Sequence, residues 1–445
     1  MEENWQKLSS EEKMERRLAA WLSPQDVQFA TPEAEAAYKA RVGRLIDAIQ
    51  LKKTPDRVPV YPHVGFYPAN YAGFTAQDVM YDADKAAKAW TKCVLDFEPD
   101  VRFRVNSSLP GKVFEALDYK LYNWPGHGVA PNHSFQCVET EYMKAEDYDA
   151  FLLDPSDFFL RTYLPRIMGG LQPLSALSPL VNILEMPMTP PNLSRYGLPE
   201  VQAALEKLME AGRGALSWQQ ALGASDRKLE ELGFPNWTRL MTKAPFDVVG
   251  DTLRGTRGVI MDMFRQPEKL LDALEKVTPM MICLGVSNAA VSGSPVVTLP
   301  LHKGADGFMS DEQFRTFYWP SLRKVILGLI EEGFVPELFA EGGYNSRLEV
   351  IRDLPKGKTV WHFDHTDMAK AKEVLGDVAC IKGNVPAALL QTGTPEQTVA
   401  YCKQLIETAG KGGGFILATG AVIDEAKAEN MRAMIACAKE YGVYS

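Results

Sequence analysis

The last third of the chain alternates two hydrophobic periods. VVTLPLH (296–302), VPELFAE, TVWHFD, VACIKG and GFILAT are short apolar runs that read as buried strands, and each is followed by a helical segment. Between Asp311 and Glu332, Phe314, Phe317, Tyr318, Leu322, Val325, Ile326, Leu329 and Ile330 recur every three or four residues, which predicts a helix with one apolar stripe. Strand and helix in regular succession predict parallel strands, because a parallel connection needs a crossover of about a dozen residues. Thr394, Pro395 and Gln397 predict a capped helix start, and Asp424 is placed to cap the final helix, which ends at Gly442.

Upstream, residues 1–55 read as charged amphipathic helices with Arg41, Arg44, Lys52 and Lys53 on polar faces, an arm for packing or oligomer contact. RVPVYPHVG from Arg57, VRFRV (101–105) and VNILEMP (181–187) predict further strands, while 198–245 and 262–276 predict helix. NWPGHGVAPNHSF has no helical period and reads as a loop or hairpin insertion within 105–140. The expected class is α/β, a (β/α)8 TIM barrel over 56–445 with an N-terminal helical extension over 1–55 and an insertion in its first half.

Composition narrows the function. With 445 residues, 46% hydrophobic and 24% charged, the chain can bury a large core, and its net charge of -9 argues against a phosphate-tracking surface. No nucleic acid is expected. Cysteines 93, 137, 283, 380, 402 and 437 show no CxxC spacing, so reduced thiols are expected, not a disulfide scaffold or thiolate zinc knuckle. The start, MEENWQKLSSEEKMERRLAAW, is charged throughout and does not read as a secretory signal. The most apolar region, Val277 to Leu301, is interrupted by polar residues and Pro295, so no membrane span is expected and the location expected is cytoplasmic. GxSxG, P-loop and strand-to-helix GxGxxG motifs do not occur.

Candidate chemistry lies where strands end, because loops at the C-terminal ends of barrel strands build the site. Glu341 ends LFAE before two glycines, and alternation in TVWHFDH puts His362 and Asp364 on one face, with Trp361, Phe363 and His365 on the other. Glu341, His362 and Asp364 are thus candidates for general acid and base work or for a divalent metal. His302 and His63, at other predicted strand ends, and Asn384 join them. Tyr67 and Tyr71 in YPHVGFYPANYAGF are placed to line a pocket beside His63, and DTLRGTRG offers Arg254 or Arg257 to an anionic group. The plainer alternatives are an internally bonded His362, structural arginines and aromatics that fill the core.

IKGNVPAALLQTGTPEQTVAYCKQLIETAGKGGGFILATG, followed by AENMRAMIACAKEYGVY, resembles the uroporphyrinogen decarboxylase superfamily in the order and spacing of GNVP, GTPE, GGFIL and EN(x)2AM. Weaker similarity in RGTRGVIMDMFRQPEKL, FMSDEQFRTFYWP and DRVPV extends it over residues 55–445. The resemblance implies the same barrel, and either a decarboxylase or a methyltransferase working with cobalamin proteins. Decarboxylases of the family follow RVPVW with an arginine-rich segment that holds substrate carboxylates. Here RVPVYPHVGFYPANY has no arginine after Arg57, which argues against a porphyrinogen and for the methyltransferase branch.

The family's thiol-directed methyltransferases bind zinc through His-x-Cys and a later cysteine, positions that fall at Phe339, Glu341 and near Ala421. A subgroup that cleaves methyl ethers uses a Glu and a His at the separation of Glu341 and His362, but its upstream Glu falls at Ile326, so His302, Asp364 or Glu185 is left as third ligand. The resemblance therefore implies zinc on Glu341 and His362, acting as Lewis acid on an ether oxygen, with His302 the candidate carried forward for the open third place among the metal ligands. The expected activity is methyl transfer from a methoxylated small molecule to cobalamin or another corrinoid on a partner protein, with homodimerisation open. A metal-independent decarboxylase or lyase, and a non-catalytic tetrapyrrole or corrinoid binder, are the alternatives.

Overall fold

The computed structural model describes residues 5–103, 109–237, 241–290 and 293–444. Residues 104 and 105 of the strand predicted at VRFRV lie outside them, and residues 101–103 are not in regular strand. The N-terminal arm is two helices. Ser9 and Glu12 form a capping box for Ser10–Leu22, and Thr31 caps Pro32–Gln50 with proline in its first turn. Met14, Leu18, Trp21, Tyr38, Val42 and Leu45 carry their apolar faces into the main core.

Ion pairs fasten the arm. Lys13 meets Glu332, and Arg44, expected on a polar face, is buried against Asp100 at 2.7 Å and also pairs with Asp56 at 2.6 Å. Asp100 is the cause of that burial: its carboxylate also accepts from Arg57 and from the Val60 backbone, and a buried carboxylate needs such partners.

A small sheet of β1 (Tyr122–Pro125), β2 (Gly128–Val129) and β3 (Gln136–Cys137) forms the insertion, in the order β2-β1-β3. The main sheet is parallel, β4 (Val296–Leu301), β5 (Val335–Ala340), β6 (Val360–Phe363), β7 (Cys380–Val385) and β8 (Phe415–Thr419), paired in sequence order. All five lie on the apolar runs of the sequence. The expected helix over 311–332 has its entire stripe buried, with a π-helical turn at Phe314–Tyr318.

The fold is thus α/β with a parallel sheet, five regular strands long. Single parallel bridges touch both of its edges, Val60 to Leu417 on β8 and Met241 to Thr298 on β4, and a further one joins Val64 to Ile423 just beyond β8. Pro59 and Pro62 explain why RVPVYPHVG bridges without forming a ladder, since proline has no N–H to donate. VNILEMP is not a strand. Residues 180–182 form a 3₁₀ turn, and Val181, Leu184 and Met186 are exposed with no strand beside them. Asp424 does not cap the last helix: its Oδ1 accepts from the Phe66 backbone N–H at 2.6 Å, and the helix starts at Ala428. Among the described residues no helix is long and apolar enough to cross a membrane.

Candidate active site

Side chains two apart along β5, β6 and β7 share one face of the sheet, and they stack in polar layers. In the deepest, Glu337 of β5 is buried with Lys382 of β7. Lys382 Nζ donates to Glu337 Oε1 at 2.7 Å, while Trp237 Nε1 and Thr298 Oγ1 donate to Oε2 at 2.8 and 2.6 Å. Burial alone would raise the Glu337 carboxyl, yet the Lys382 charge and the hydrogen bonds from Lys382 and Thr298 bring it down to about 2. This is an ionised pair inside the fold.

His362 stands one step further along the face, 1% exposed. Its Nε2 donates to the Thr419 carbonyl at 2.7 Å, and its ring stacks on Phe339 with centroids 4.5 Å apart. His63 lies 5.5 Å away, and its backbone N–H donates to Thr419 Oγ1 at 3.0 Å, so one residue of β8 fixes both histidines. Burial, then the nearby Lys382 and His63, hold His362 well below the usual histidine pKa. It is a neutral imidazole with its tautomer set by Thr419.

The third layer, at the C-terminal ends of the strands, gathers groups that the sequence reading did not join. Directly after β4, His302 Nδ1 is 2.5 Å from Asp251 Oδ2 and its Nε2 is 3.6 Å from Glu341 Oε1. Lys243 and Lys303 also reach Asp251, at 2.7 and 3.1 Å. Behind them Asp247 is fully buried and accepts from the His302 and Lys303 backbone N–H groups and from the Tyr318 hydroxyl. Gly250 makes room for this, because a Cβ there would come within 2.8 Å of the Lys303 side chain.

These contacts separate the protonation states. Burial opposes charge on His302, but the Asp251 hydrogen bond and the charges of Asp251, Asp247 and Glu341 outweigh it and raise its pKa. Burial and the neighbouring Asp251 push Asp247 up to about 6. Burial is outweighed at Asp251 by His302 and Lys243, which hold it below the usual carboxylate range. Glu341 is raised by burial and by Asp247, Asp364 and Asp251, against the pull of His302. An ionised aspartate orienting a protonated histidine, beside a carboxyl that holds its proton more tightly than usual, is an arrangement for proton transfer.

The insertion roofs one side. Glu139, two residues beyond β3, accepts from Thr256 Oγ1 at 2.6 Å, and Lys303 Nζ donates to the same Thr256 oxygen at 2.8 Å. On the other side a cavity of about 600 Å³ opens beside β6 and β7, bordered by Asp364, His365, Met368, Asn384 and Tyr401. Asp364 accepts from the Gly342 N–H at 3.2 Å, and Asn384 Nδ2 donates to the Asp364 and Thr366 carbonyls, both at 2.9 Å.

The structure therefore brings Glu341 and His302 together, places Asp364 close enough to influence Glu341, and sets His362 and His63 deeper, with His362 Nδ1 3.9 Å from Glu337 Oε1. Three predicted substrate residues lie elsewhere. Tyr67 is buried and packs with Tyr71 against Phe97, while the Tyr71 hydroxyl donates to Asp96, because the short helix that carries them turns toward the helix Ala83–Phe97. Arg254 is buried, and Asp262, Glu141 and the Met143 carbonyl take four of its five N–H donors within the fold, a structural role. Asp247, Asp251, Lys243 and Lys303 went unread, although an Asp pair four residues apart in FDVVGD is a legible signal.

The zinc set does not assemble. Thr419 takes one ring nitrogen of His362 and Asp251 one of His302, and among the described residues no group of three His, Cys, Asp or Glu side chains is arranged to hold a metal ion.

Residues 241–441 match the family model described as uroporphyrinogen decarboxylase (URO-D). The uroporphyrinogen decarboxylase of Aromatoleum aromaticum is 26% identical over 226 residues, 50% of this chain and 60% of that protein. The uroporphyrinogen decarboxylase of Geobacter metallireducens is 25% identical over 176 residues, 39% of this chain and 50% of that protein. The chain thus spans only part of the length of these relatives. In fold it is similar to a methyltransferase from Methanosarcina mazei, with a TM-score of 0.58, 17% identity, and coverage of 90% of this chain and 98% of that one.

Proposed function

Residues 241–441 match the uroporphyrinogen decarboxylase family model, and on that premise we propose that the chain is an enzyme that removes a methyl group from a small methylated donor, with His302 as general acid. The observation that carries the reading is the 2.5 Å contact between Asp251 and His302 Nδ1, which leaves Nε2 to present a proton at the strand ends. A corrinoid on a partner protein would supply the electron pair that accepts the methyl group. As the bond between methyl and donor heteroatom breaks, its electrons stay on the heteroatom, which takes the proton from His302 Nε2. Asp251 keeps the ring oriented throughout, and Glu341, half exposed beside Nε2, is placed to return a proton from solvent. In this reading the His302 acid takes the part expected of zinc. The fold likeness to a methyltransferase supports the same reading.

The test is to incubate the purified chain with methoxylated aromatic compounds and chemically reduced cobalamin and to follow demethylated product by mass spectrometry. Product is expected, and His302→Ala should lower its rate about a hundredfold or more. An undiminished rate in that variant overturns the assignment.

One observation favours a second reading: both sequence relatives are decarboxylases, and Lys243 and Lys303 stand at the same mouth. His302 would then protonate the carbon left by carbon dioxide. Carbon dioxide release from an acidic substrate, without demethylation, selects that reading.

A further inference from the structure

The segment that leaves the insertion after β3 docks antiparallel on the start of the helix Gly255–Arg265, residue against residue. The Met143 N–H donates to the Leu253 carbonyl at 2.7 Å, Glu141 accepts from Arg254 at 3.1 Å, and Glu139 accepts from Thr256 Oγ1 at 2.6 Å. Between these contacts Thr140 lies against Gly255, whose φ is +71° and where a Cβ would stand 2.8 Å from the Thr140 carbonyl oxygen. Glycine is what lets the two segments approach so closely. The contacts continue inward from Thr256. Its hydroxyl hydrogen is committed to Glu139, while its oxygen accepts from Lys303 Nζ at 2.8 Å. The same ammonium lies 3.1 Å from Asp251 Oδ1, and Asp251 Oδ2 holds His302 Nδ1.

We propose that Thr256 is a positioning residue for the His302 acid, the joint through which the insertion fixes the site beneath it; this rests on the reading of His302 as general acid. The Lys303 side chain is 7% exposed, so its N–H groups need acceptors inside the fold. Without the threonine oxygen, the ammonium turns fully onto Asp251 and competes with His302 for that carboxylate. The imidazole then loses the orientation that aims Nε2 at the donor. Glu139 acts through the same joint. Its carboxylate draws the threonine hydrogen away from Lys303 and so leaves the oxygen's lone pairs facing the ammonium.

Kinetics and a substrate-free measurement on the full chain test this together. Thr256→Val keeps the branched shape and removes the oxygen, and it should lower kcat for demethylation about tenfold while KM stays within about twofold. Thr256→Ser should restore the rate. Glu139→Ala should cost about as much as Thr256→Val, and the double variant no more than either single, because both act on one chain of bonds. Without substrate, the imidazole NMR signal of His302, identified by its loss in His302→Ala, should move in Thr256→Val and in Glu139→Ala and return in Thr256→Ser. An unmoved signal, a loss that falls on KM alone, a serine variant that rescues neither readout, or losses that multiply in the double variant overturn the proposal. A signal that responds in a protein that demethylates no donor supports the coupling and counts against the proposed reaction alone.

Discussion

Asp251 Oδ2 lies 2.5 Å from His302 Nδ1, with Lys243 sharing the same carboxylate oxygen at 2.7 Å. The carboxylate thus selects which ring nitrogen faces the cleft and raises the pH at which the imidazole loses its charge. Asp251→Asn should cut turnover about a hundredfold, by removing orientation and charge together. A rate limited by protonated His302 falls as pH rises through the raised pKa, so the variant's decline should begin at lower pH. Matched pH profiles check this.

Glu337 and Lys382 make a prediction about stability. Removing one member of a buried pair leaves the other uncompensated, so Glu337→Gln should destabilise by about 3–5 kcal/mol. The combined Glu337→Leu and Lys382→Met variant should lose less. Because the folded carboxyl is held down to about 2, its contribution is present above the ordinary value of 4.5 and disappears as pH falls through about 2. Urea titrations of the three proteins over an acidic series measure both effects.

Asp247 has the opposite sign. Its folded carboxyl keeps its proton up to about 6, against an ordinary 3.8, so its contribution is complete below 3.8 and lost as pH rises through about 6. Asp247→Asn should flatten the decline in melting temperature over that interval relative to wild type. Parallel declines in the two proteins count against a buried, proton-holding aspartate.

His362 belongs to the fold more than to proton transfer. His362→Phe leaves the Thr419 carbonyl without its donor and should cost about 1–3 kcal/mol of stability. The position of the pH profile should stay where it is, and a shift comparable with that of Asp251→Asn contradicts the layer assignment.

How far the sequence could be read follows from how local each signal is. The five parallel strands and the helix stripe from Phe314 to Ile330 were legible because periodicity is a property of neighbours in the chain. Depth was not: His362 lies inside β6, level with Phe339, and Glu341 just beyond β5, so one belongs with Thr419 and the other with His302. Such pairing depends on register between strands, which the pattern within one strand does not contain. VNILEMP misled because a run of apolar residues signals burial only where a partner exists, and this run is exposed.

The bridges from Val60 to Leu417 and from Arg57 to Val443 tie an early stretch of the polypeptide to its far end. A ribosome delivers these partners hundreds of residues apart in time, so segment 57–64 emerges long before the edge that will receive it. Until β8 arrives, Val58, Val60 and Tyr61, all buried in the finished molecule, have no native neighbour there. Synthesis of this chain therefore holds an apolar segment open for most of its duration, the interval in which a nascent protein is most in need of a chaperone.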